Sequence, residues 1–252
     1  MLTTQRKQLI LDRLSRDGQV IAKAMSLELG LSEDTLRRDL RELAQEGKVQ
    51  RVHGGALPAS PAMGDLSVRQ QVATDDKRAL GRAGAALVKP GQLVFLDGGT
   101  TAVQVARHLP TGLRATVVTH SPVVAVELAV HPHLDIIVLG GRLFRHSMVH
   151  VGASVVEAAA GIRADLFLMG VTGVHPSAGL STGDHEEAAV KRALHAQAAE
   201  TVVLASHEKL GAASPFVIAP LSALSSLVVT AQAPRQALRA LRQAGVKVVV
   251  AA

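Results

Sequence analysis

The spacing of apolar residues changes after the first quarter of the 252-residue chain. Up to residue 57 the chain is dense in charged residues, and apolar residues recur at helical spacing in three short stretches. Over residues 74–252, short and wholly apolar runs alternate with helical patterns. The stretch between them, residues 58–73, opens with two prolines among small residues and is expected to be a linker. The pattern therefore predicts two domains, 1–57 and 74–252.

Short apolar runs predict the strands of the second domain. They are rich in β-branched residues and apolar throughout, as strands buried on both faces are. They cover residues 93–97, 115–120, 134–140, 164–170, 201–206, 226–230 and 246–251. Helical patterns lie between many of them, at residues 77–88, 100–109, 121–130, 150–160, 184–198 and 234–244. This alternation predicts the α/β class, with a mostly parallel sheet and helices on both faces.

Three helices and a hairpin are predicted in the first domain. Apolar residues at helical spacing indicate helices over residues 6–16 and 21–29. Ser32 is a favourable N-cap for a third helix, whose buried stripe is Leu36, Leu40 and Leu43. Residues 48–57 alternate and turn at two glycines, as a two-stranded wing does. This order predicts a winged helix-turn-helix.

The outer face of the third helix is polar and basic, because its leucines face the core. Its exposed residues are Thr35, Arg37, Arg38 and Arg41. Arginine can bind guanine through two hydrogen bonds, and a helix N-terminus can meet a phosphate. The wing adds cations for the DNA backbone or minor groove, namely Lys48, Arg51 and His53. The alternative is an ordinary solvated helix with an Asp34–Arg38 ion pair, but the complete order of helices and wing favours DNA binding.

Glycines and threonines lie between the first apolar run and the helix that follows it. Gly98 and Gly99 let the backbone approach a ligand, and Thr100 and Thr101 offer hydroxyl and N–H groups at a helix N-terminus, which favours anions. The alternative is an ordinary tight turn. Polar loops follow three further strands, at residues 119–121, 140–142 and 170–173. Because ligands of open α/β sheets bind at this edge, a small polyhydroxy anion is the predicted ligand.

A further helix start is predicted at Asp184, a good N-cap with Glu187 at the capping-box position. Lys191 lies one turn further along this helix. It either supplies a positive charge to a phosphate or forms an i,i+4 surface pair with Glu187.

These motifs resemble those of the DeoR family of bacterial transcriptional regulators. The run from Ser32 through Thr35, Leu36, Arg37, Arg38, Asp39 and Leu40, followed by RVHGGA at residues 51–56, is similar to the family's DNA-binding signature. DGGTT, VVTHS, LGGRL, LMGVTGV, GLSTGDHEEAAVKRA and SHEKLG are similar to its effector domain, so the resemblance covers nearly the whole chain. That domain is similar to ribose-5-phosphate isomerase.

The resemblance implies what the protein binds. It implies a homo-oligomer, a dimer or tetramer, that binds double-stranded operator DNA, and a phosphorylated sugar or polyol that modulates this binding. Repression of a carbohydrate-utilisation operon is the expected activity. No cofactor is expected.

The resemblance also assigns roles to individual residues. It implies that Asp39 orients an arginine or the wing. The candidate DNA-binding residues are Ser32, Thr35, Arg37, Arg38, Arg41, Lys48, Arg51 and His53. Gly99, Thr100 and Thr101 correspond to a phosphate loop and Lys191 to a phosphate-binding lysine. The other candidate effector-binding residues are Asp97, Gly98, His120, Ser121, Gly140, Gly141, Glu187 and Lys209.

Three positions depart from the family's usual pattern. His120 stands where the family typically has Asn, Thr172 where it often has Asp, and Ser206 begins SHEKLG in place of the more common D-x-S-K-F-G. These differences concern contacts to sugar hydroxyls more than contacts to phosphate. They are expected to tune which metabolite binds.

The likeness to an isomerase raises the alternative of an enzyme. Sugar-phosphate isomerisation needs a carboxylate base, whereas the positions that align with the isomerase's acidic residues are Val190, Met169 and Thr172. Asp97 and Glu187 remain as carboxylates, but both have structural or hydroxyl-binding interpretations. A protein without catalytic residues is therefore expected.

Two pairs of histidines, His131-x-His133 and His146-x-x-x-His150, have spacings that metal ligands can adopt. No carboxylate accompanies either pair at a convincing spacing, so no metal site is expected.

Composition indicates where the protein works. The chain has no cysteine, which excludes disulfides and favours a reducing compartment. It has no apolar run of the ~18 residues that a membrane span needs, nor a secretory signal, so a cytoplasmic location without a membrane partner is expected. The net charge is +6. Residues 1–57 carry ten basic and eight acidic residues, so the placement of the cations, not their excess, predicts DNA binding.

Overall fold

The computed structural model of the protein describes residues 2–251. Its first part contains three helices and a three-stranded antiparallel sheet. The helices are α1 (Thr3–Asp17), α2 (Ala22–Leu29) and α3 (Glu33–Gln45), and the strands are β1 (Val20–Ile21), β2 (Val49–Val52) and β3 (Gly55–Pro58). The strand order is β1-β3-β2. The predicted winged helix-turn-helix is therefore confirmed, with an additional strand, β1, that two residues are too few to reveal in a sequence pattern.

Apolar side chains from all three helices form the core of this first part, including Ile10, Leu14, Met25, Leu36, Leu40 and Leu43. Ser32 caps α3, since its Oγ accepts a hydrogen bond from the Thr35 N–H at 3.2 Å. Arg6 of α1 and Asp39 of α3 form a buried ion pair, with Arg6 Nη2 donating to Asp39 Oδ1 at 2.9 Å. Asp39 thus orients an arginine, but it is an arginine of the first helix.

The connecting segment, residues 59–73, contains two short helices. They are the 3-10 helix η1 (Pro61–Met63) and α4 (Leu66–Gln70). Ser60 Oγ accepts a hydrogen bond from the Ala62 N–H at 3.0 Å, and Asp65 Oδ1 accepts one from the Val68 N–H at 3.0 Å. This local order was not predicted, and the boundaries of the linker and of the two domains stay predictions.

The second part alternates strands and helices. Its helices are α5 (Thr74–Leu87), α6 (Thr100–His108), α7 (Pro122–Leu128), α8 (Ala153–Ala160), α9 (His185–Ala196) and α10 (Arg235–Gln243), with 3-10 helices η2 (His207–Lys209) and η3 (Leu221–Ala223). Its strands are β4 (Leu93–Leu96), β5 (Thr116–Thr119), β6 (Asp135–Val138), β7 (Arg142–Phe144), β8 (Val149–Val151), β9 (Ala164–Gly170), β10 (Gly173–His175), β11 (Gly179–Thr182), β12 (Ala198–Leu204), β13 (Phe216–Ala219), β14 (Ser226–Val229) and β15 (Val248–Val250). No helix within residues 2–251 has both the length and the apolar character to cross a bilayer.

Seven strands form a parallel sheet in the order β15-β14-β12-β9-β4-β5-β6. They are the seven strands that the apolar runs predict, which confirms the expected α/β class. The order reverses between β4 and β9, because β5 and β6 extend the sheet to one side and β12, β14 and β15 to the other. Such a reversal leaves a crevice beyond the carboxyl ends of the two central strands.

Both faces of the parallel sheet are covered by apolar side chains and helices. In β9, Phe167 and Met169 point to one face, while Leu166 and Leu168 point to the other. Helices α8, α9 and α10 contribute to the first core, and α5, α6 and α7 to the second. This burial on two sides explains why the strands are apolar throughout rather than alternating.

Two smaller antiparallel sheets were not predicted. One is the β7–β8 hairpin and the other has the order β10-β11-β13. Their strands have three or four residues, and the pairing of Thr182 with Phe216 joins residues far apart in the sequence. Such short segments carry too few alternating positions to be recognised from periodicity.

Candidate functional site

The site lies where the strand order of the parallel sheet reverses. Asp97 directly follows β4, and Gly170 ends the neighbouring strand β9. The Asp97 carboxylate is fully buried and joins the two strand ends. Its Oδ1 accepts a hydrogen bond from the Gly98 N–H and its Oδ2 one from the Gly170 N–H, both at 2.8 Å.

Two further side chains complete the shell around Asp97. His120 Nε2 donates to Asp97 Oδ1 at 2.9 Å, and Lys191 Nζ is in hydrogen-bonding contact with Oδ2. Burial raises the pKa of Asp97, but the charge of Lys191 and the hydrogen bond from His120 outweigh it, so the pKa lies well below its ordinary value. His120 Nδ1 faces the His150 carbonyl oxygen at 2.8 Å. Hydrogen-bonding contacts at both ring nitrogens hold the His120 ring in place.

Lys191 lies beneath the site rather than on the protein surface. It is 2% exposed, and its Nζ contacts Glu187 Oε1 at 3.3 Å and the Gly170 carbonyl oxygen at 3.1 Å in addition to Asp97. Burial lowers the pKa of Lys191, but Asp97 and Glu187 more than offset this, so the pKa is raised. The expected Glu187–Lys191 pair is thus present, but it is buried, and the surface location was wrong.

Above this network lies a cleft, called here the cationic cleft. The cleft is lined by the loop 98–101, by four cationic residues and by two glutamates, among other residues. The cations are Arg69, Lys77, Lys191 and Lys209, and the glutamates are Glu187 and Glu208. The loop begins α6, so its N–H groups add partial positive charge to the same space.

Lys209 and Lys77 are the two lysines of the cleft with lowered basicity. Burial lowers the pKa of Lys209 to about 8, with Glu208 opposing and Lys77, Arg69 and Lys191 reinforcing the shift. Burial likewise lowers the pKa of Lys77, whose Nζ donates to the backbone carbonyl oxygens of Arg69 and Val72. Crowding of positive charge in a buried site costs free energy, and a bound anion relieves this cost.

Two buried oxygen atoms of the cleft residues have no hydrogen-bond partner among residues 2–251. They are Glu208 Oε2 and Thr101 Oγ1. The other carboxylate oxygen of Glu208 accepts a hydrogen bond from Ser206 Oγ at 2.6 Å. Buried polar atoms are normally paired, so a ligand with hydroxyl groups fits these two positions.

The predicted effector-binding residues fall into three groups. Gly98, Gly99, Thr100, Thr101, Glu187, Lys191 and Lys209 line the cationic cleft. Asp97 and His120 lie beneath it, and Ser121 is buried as the N-cap of α7, with its Oγ donating to the Met148 carbonyl oxygen at 3.2 Å. Gly140 and Gly141 are exposed at the end of β6 and do not line the cleft. Glycine is required at 141, since a Cβ there would lie 2.6 Å from Val155 Cγ2.

Sequence reasoning missed Arg69, Lys77 and Glu208 as residues of the cleft. Arg69 belongs to the stretch that was expected to be a linker, and Lys77 lies near the start of α5. The sequence signal for Arg69 and Lys77 was weak: one basic residue lies shortly before residue 74, the predicted start of the second domain, and the other shortly after it. Such a signal is too weak to assign a site, because most charged residues near helix starts are solvated.

A second concave surface, called here the α3–wing groove, lies between the third helix and the wing. Its basic residues are Lys23, Arg37, Arg41, Arg51 and His53. Four of them belong to the predicted DNA-binding set, whereas Lys23 at the start of α2 was missed because its helix carries no other cation. The groove brings cations from three elements to one face.

The remaining predicted DNA-binding residues do not line this groove. Ser32, Arg38 and Lys48 are exposed and Thr35 is half-buried. Arg37 Nη2 pairs with Glu33 Oε1 at 2.8 Å, so the i,i+4 ion pair of α3 uses Arg37, and the alternative Asp34–Arg38 pair was wrong. Arg38 makes no ion pair within residues 2–251, which leaves its guanidinium available to a phosphate or a base.

The histidine pairs are not arranged as metal sites. His131 Nε2 contacts the Ala106 carbonyl oxygen at 2.9 Å, and His150 Nδ1 contacts that of Leu139 at 3.0 Å. Within residues 2–251, one group of three metal-ligand side chains lies close together, namely Asp76, His207 and Glu208. Its His207 Nδ1 already bonds Asp76 Oδ2 at 2.7 Å, and Lys77 and Lys209 lie near Glu208, so the surrounding charge disfavours a cation.

Comparison with known families matches both parts of the chain. A DeoR-like helix-turn-helix domain matches residues 6–61, and the DeoR C terminal sensor domain matches residues 72–231, which is more than half of the chain. The chain belongs to the DeoR family of transcriptional regulators. DeoR-family proteins are regulators of transcription and not enzymes, so the isomerase alternative is set aside.

Characterised DeoR-family relatives match over almost their whole length. The HTH-type transcriptional regulator GlpR of Haloferax volcanii is 31% identical over 99% of this chain and 98% of its own. The HTH-type transcriptional repressor GlcR of Bacillus subtilis is 32% identical over 94% and 92%, respectively. The glycerol-3-phosphate regulon repressor of Escherichia coli is 28% identical over 96% of both chains.

The solved structures that align with the chain are more distant. The ribose-5-phosphate isomerase A of Methanocaldococcus jannaschii aligns with a TM-score of 0.40 at 18% identity over 54% of each chain. The sorbitol operon regulator SorC of Klebsiella pneumoniae aligns with a TM-score of 0.43 at 13% identity, over 93% of this chain and 98% of its own.

Proposed function

We propose that this DeoR-family protein represses a carbohydrate-utilisation operon and that a phosphorylated sugar or polyol, bound in the cationic cleft, changes its affinity for the operator. The observation that carries this proposal is the convergence of four cationic side chains on a glycine-threonine loop at a helix N-terminus. The names of two relatives, a repressor called GlcR and a glycerol-3-phosphate regulon repressor, support a role of this kind.

The phosphate group of the effector binds at the loop 98–101 in this proposal. The N–H groups of the loop and the Thr100 hydroxyl donate to its oxygens, and Lys209 and Lys77 supply charge. Lys191 stays a candidate phosphate ligand, and its contact with phosphate requires Nζ to exchange Glu187 for a phosphate oxygen. Asp97 keeps Lys191 charged and in place throughout.

The hydroxyl groups of the effector bind at the acidic side of the cleft. Glu208 Oε2 and Thr101 Oγ1 are buried without partners and can pair with sugar hydroxyls. Glu208 belongs to the SHEKLG segment that departs from the family's usual pattern, so we propose that it contributes to the choice of metabolite.

The DNA partner binds in the α3–wing groove, with α3 in the major groove and the wing beside the backbone. We propose that the protein forms a homo-oligomer, a dimer or tetramer, and that the DNA-binding domains (the heads) of two subunits bind one operator. Binding of the first head raises the effective concentration of the second, and therefore the apparent affinity. The effector then acts through a difference in its affinity for two arrangements of the heads. Both partners, DNA and a phosphorylated metabolite, are cytoplasmic.

A screen of phosphorylated compounds tests this proposal. Full-length protein is melted with sn-glycerol 3-phosphate, hexose 6-phosphates, pentose 5-phosphates and the unphosphorylated counterpart of each. We expect one phosphorylated compound to raise the melting temperature, by an amount equivalent to about 2.7 kcal/mol at a hundredfold excess over its Kd. The same compound should change binding to labelled DNA from the gene's own upstream region, measured by fluorescence anisotropy.

Two results decide the outcome of the screen. Thr100→Ala should bind the DNA as the wild type does and lose the response to the compound. If no phosphorylated compound shifts the melting temperature, or if the unphosphorylated counterpart acts equally well, the assignment of the cleft to a phosphorylated effector is rejected.

A further inference from the structure

Arg69 of the connecting segment lies over the loop that we assign to phosphate. A Cβ built on Gly99 would be 3.8 Å from Arg69 Nη1, so the guanidinium is next to the backbone of the loop. Arg69 Nη2 donates to Ser147 Oγ at 3.1 Å, and Ser147 Oγ donates to Glu187 Oε2 at 3.0 Å. The connecting segment therefore forms one wall of the cationic cleft.

The guanidinium of Arg69 is incompletely satisfied in this position. Its Nε is buried and has no hydrogen-bond partner within residues 2–251. Burial lowers the pKa of Arg69, and the charges of Glu187, Asp97 and Asp65 only partly offset this. Because arginine stays protonated in proteins, a partly buried positive charge with a buried, unpaired Nε donor remains. An anion in the cleft can pair with it.

The same segment is fastened to the cleft at its C-terminal end. Lys77 Nζ donates to the carbonyl oxygens of Arg69, in the last turn of α4, and of Val72, just after this helix. An anion that draws Lys77 into the cleft therefore changes the contacts that hold α4.

At its N-terminal end the segment continues directly from the wing. Strand β3 ends at Pro58, whose carbonyl oxygen accepts a hydrogen bond from the Ala213 N–H at 3.0 Å. The Ser60 N–H donates to the Ala213 carbonyl oxygen at 3.2 Å, and Ser60 Oγ donates to the carbonyl oxygen of Thr172, a residue of the cleft wall. Only one residue separates the end of the wing strand from a direct contact with the cleft wall.

We propose that Arg69 is a ligand of the effector's phosphate and that the connecting segment transmits binding to the wing. A phosphate monoester completes the hydrogen bonds of Arg69 between α4 and the loop 98–101. The resulting rearrangement of α4 passes through η1 and Ser60 to β3, because these elements are consecutive in the chain and hydrogen-bonded to the cleft. This inference rests on the proposed function and specifies how the effector site is regulated.

Amide hydrogen exchange of the full-length protein tests whether α4 senses an anion. The probes are inorganic phosphate, sn-glycerol 3-phosphate and glucose 6-phosphate, each compared at equal ionic strength with sodium chloride. We expect a binding probe to slow exchange in residues 98–103 and also in residues 66–72. Protection of residues 98–103 alone would overturn the inference and leave the proposed function standing, whereas no protection by any probe would reject both.

Substitution of Arg69 tests its role as a ligand. We expect Arg69→Ala to weaken binding of the probe about 10- to 100-fold in calorimetry, the effect of losing hydrogen bonds to a charged group. Arg69→Lys should recover only part of the lost affinity, since lysine keeps the positive charge but lacks the planar guanidinium that can donate two parallel hydrogen bonds. Arg82→Ala is the matched control, because Arg82 is an exposed arginine of α5 outside the cleft.

An unchanged Kd in Arg69→Ala, with a folded protein by circular dichroism, contradicts the ligand role. If Arg69→Ala melts at a lower temperature, Arg69→Lys provides the comparison in a protein that keeps the charge. Equal weakening in Arg82→Ala would show a general effect of net charge, which also overturns the assignment.

Ser60→Ala separates binding from transmission. The variant lacks the hydroxyl that joins the connecting segment to Thr172, and Ser60 does not line the cleft. We expect it to bind the probe with the wild-type Kd, while the ratio of DNA affinities measured without and with the probe moves towards one. A wild-type ratio in Ser60→Ala would overturn transmission through this contact.

Discussion

At the scale of single residues, the buried carboxylate of Asp97 organises the floor of the cationic cleft. It accepts hydrogen bonds from two backbone N–H groups and from His120, and it contacts Lys191. A buried charge is tolerated only when it is paired and hydrogen-bonded in this way. Asp97 is thus a structural partner of these groups, and its assignment as an effector-binding residue stays a prediction.

Replacement of Asp97 is expected to destabilise the protein. Asp97→Asn removes one partner of a buried ion pair, which typically costs about 3–5 kcal/mol. Urea denaturation at pH 7 measures this loss, and Asp75→Asn serves as the control, because its side chain is exposed and should change stability by less than about 0.5 kcal/mol. A loss below about 1 kcal/mol for Asp97→Asn would contradict the structural role.

The stability lost in Asp97→Asn should depend on pH in one direction. The pKa of Asp97 lies well below its ordinary value in the folded protein, so its contribution is present above the unfolded pKa of about 3.9. It is lost as the pH falls from there through the folded pKa. The stability difference between wild type and Asp97→Asn should therefore shrink on acidification below about pH 4.

The affinity for a phosphorylated effector should also depend on pH, through the charge of Lys209. Its pKa is lowered to about 8 by burial, so the free protein loses this positive charge as the pH rises through that value. Affinity for sn-glycerol 3-phosphate, measured by calorimetry, should fall between about pH 8 and pH 10, the range between this pKa and that of an ordinary lysine. Lys209→Arg should flatten the profile, because arginine keeps its charge. A wild-type affinity that is constant over this range would rule out Lys209 as a ligand.

At the scale of elements, helix α3 combines a capped N-terminus with a polar outer face. Ser32 satisfies the Thr35 N–H, and the buried Arg6–Asp39 pair fixes α3 against α1. The wing strands then place Arg51 and His53 across the groove from Arg37 and Arg41. The position of these cations, rather than the net charge of the chain, is what supports the surface that we propose for DNA.

Single substitutions on α3 test this surface. Arg37→Ala and Arg38→Ala should each weaken operator binding, and an arginine that reads a base should cost about 1–3 kcal/mol. The measurement is fluorescence anisotropy with upstream DNA at fixed salt, since salt alone changes such affinities strongly. Arg16→Ala is the control, because Arg16 is an exposed arginine at the end of α1. Wild-type binding by both α3 variants would reject the recognition-helix assignment.

At the scale of the whole molecule, the reversal of strand order creates the cleft. Helices on opposite faces leave the carboxyl ends of β4 and β9 open, and the loop 98–101, α9 and η2 bring their side chains to this opening. The connecting segment closes one side. The proposed effector site and the proposed path towards the DNA-binding part therefore share residues.

Much of this architecture was predictable from the sequence alone. The seven predicted apolar runs correspond to the seven strands of the parallel sheet. Ser32 and Asp184 cap the helices that they were expected to cap. The loop 98–101 lies at the cleft as expected. These features follow from local rules, because periodicity and capping depend on residues within a few positions of one another.

Other features were decided only by the tertiary structure. Lys191 is buried against Asp97, 94 positions away, and Arg69 enters the cleft from a stretch whose composition indicates a linker. Lys23 joins the α3–wing groove from α2, and Gly141 packs against α8. Such contacts join segments that are far apart in the chain, and no local pattern encodes them. The sequence alone thus determined the longer helices, the seven strands of the parallel sheet and the family, whereas the packing of distant elements decided which charges are paired and which remain available to a ligand.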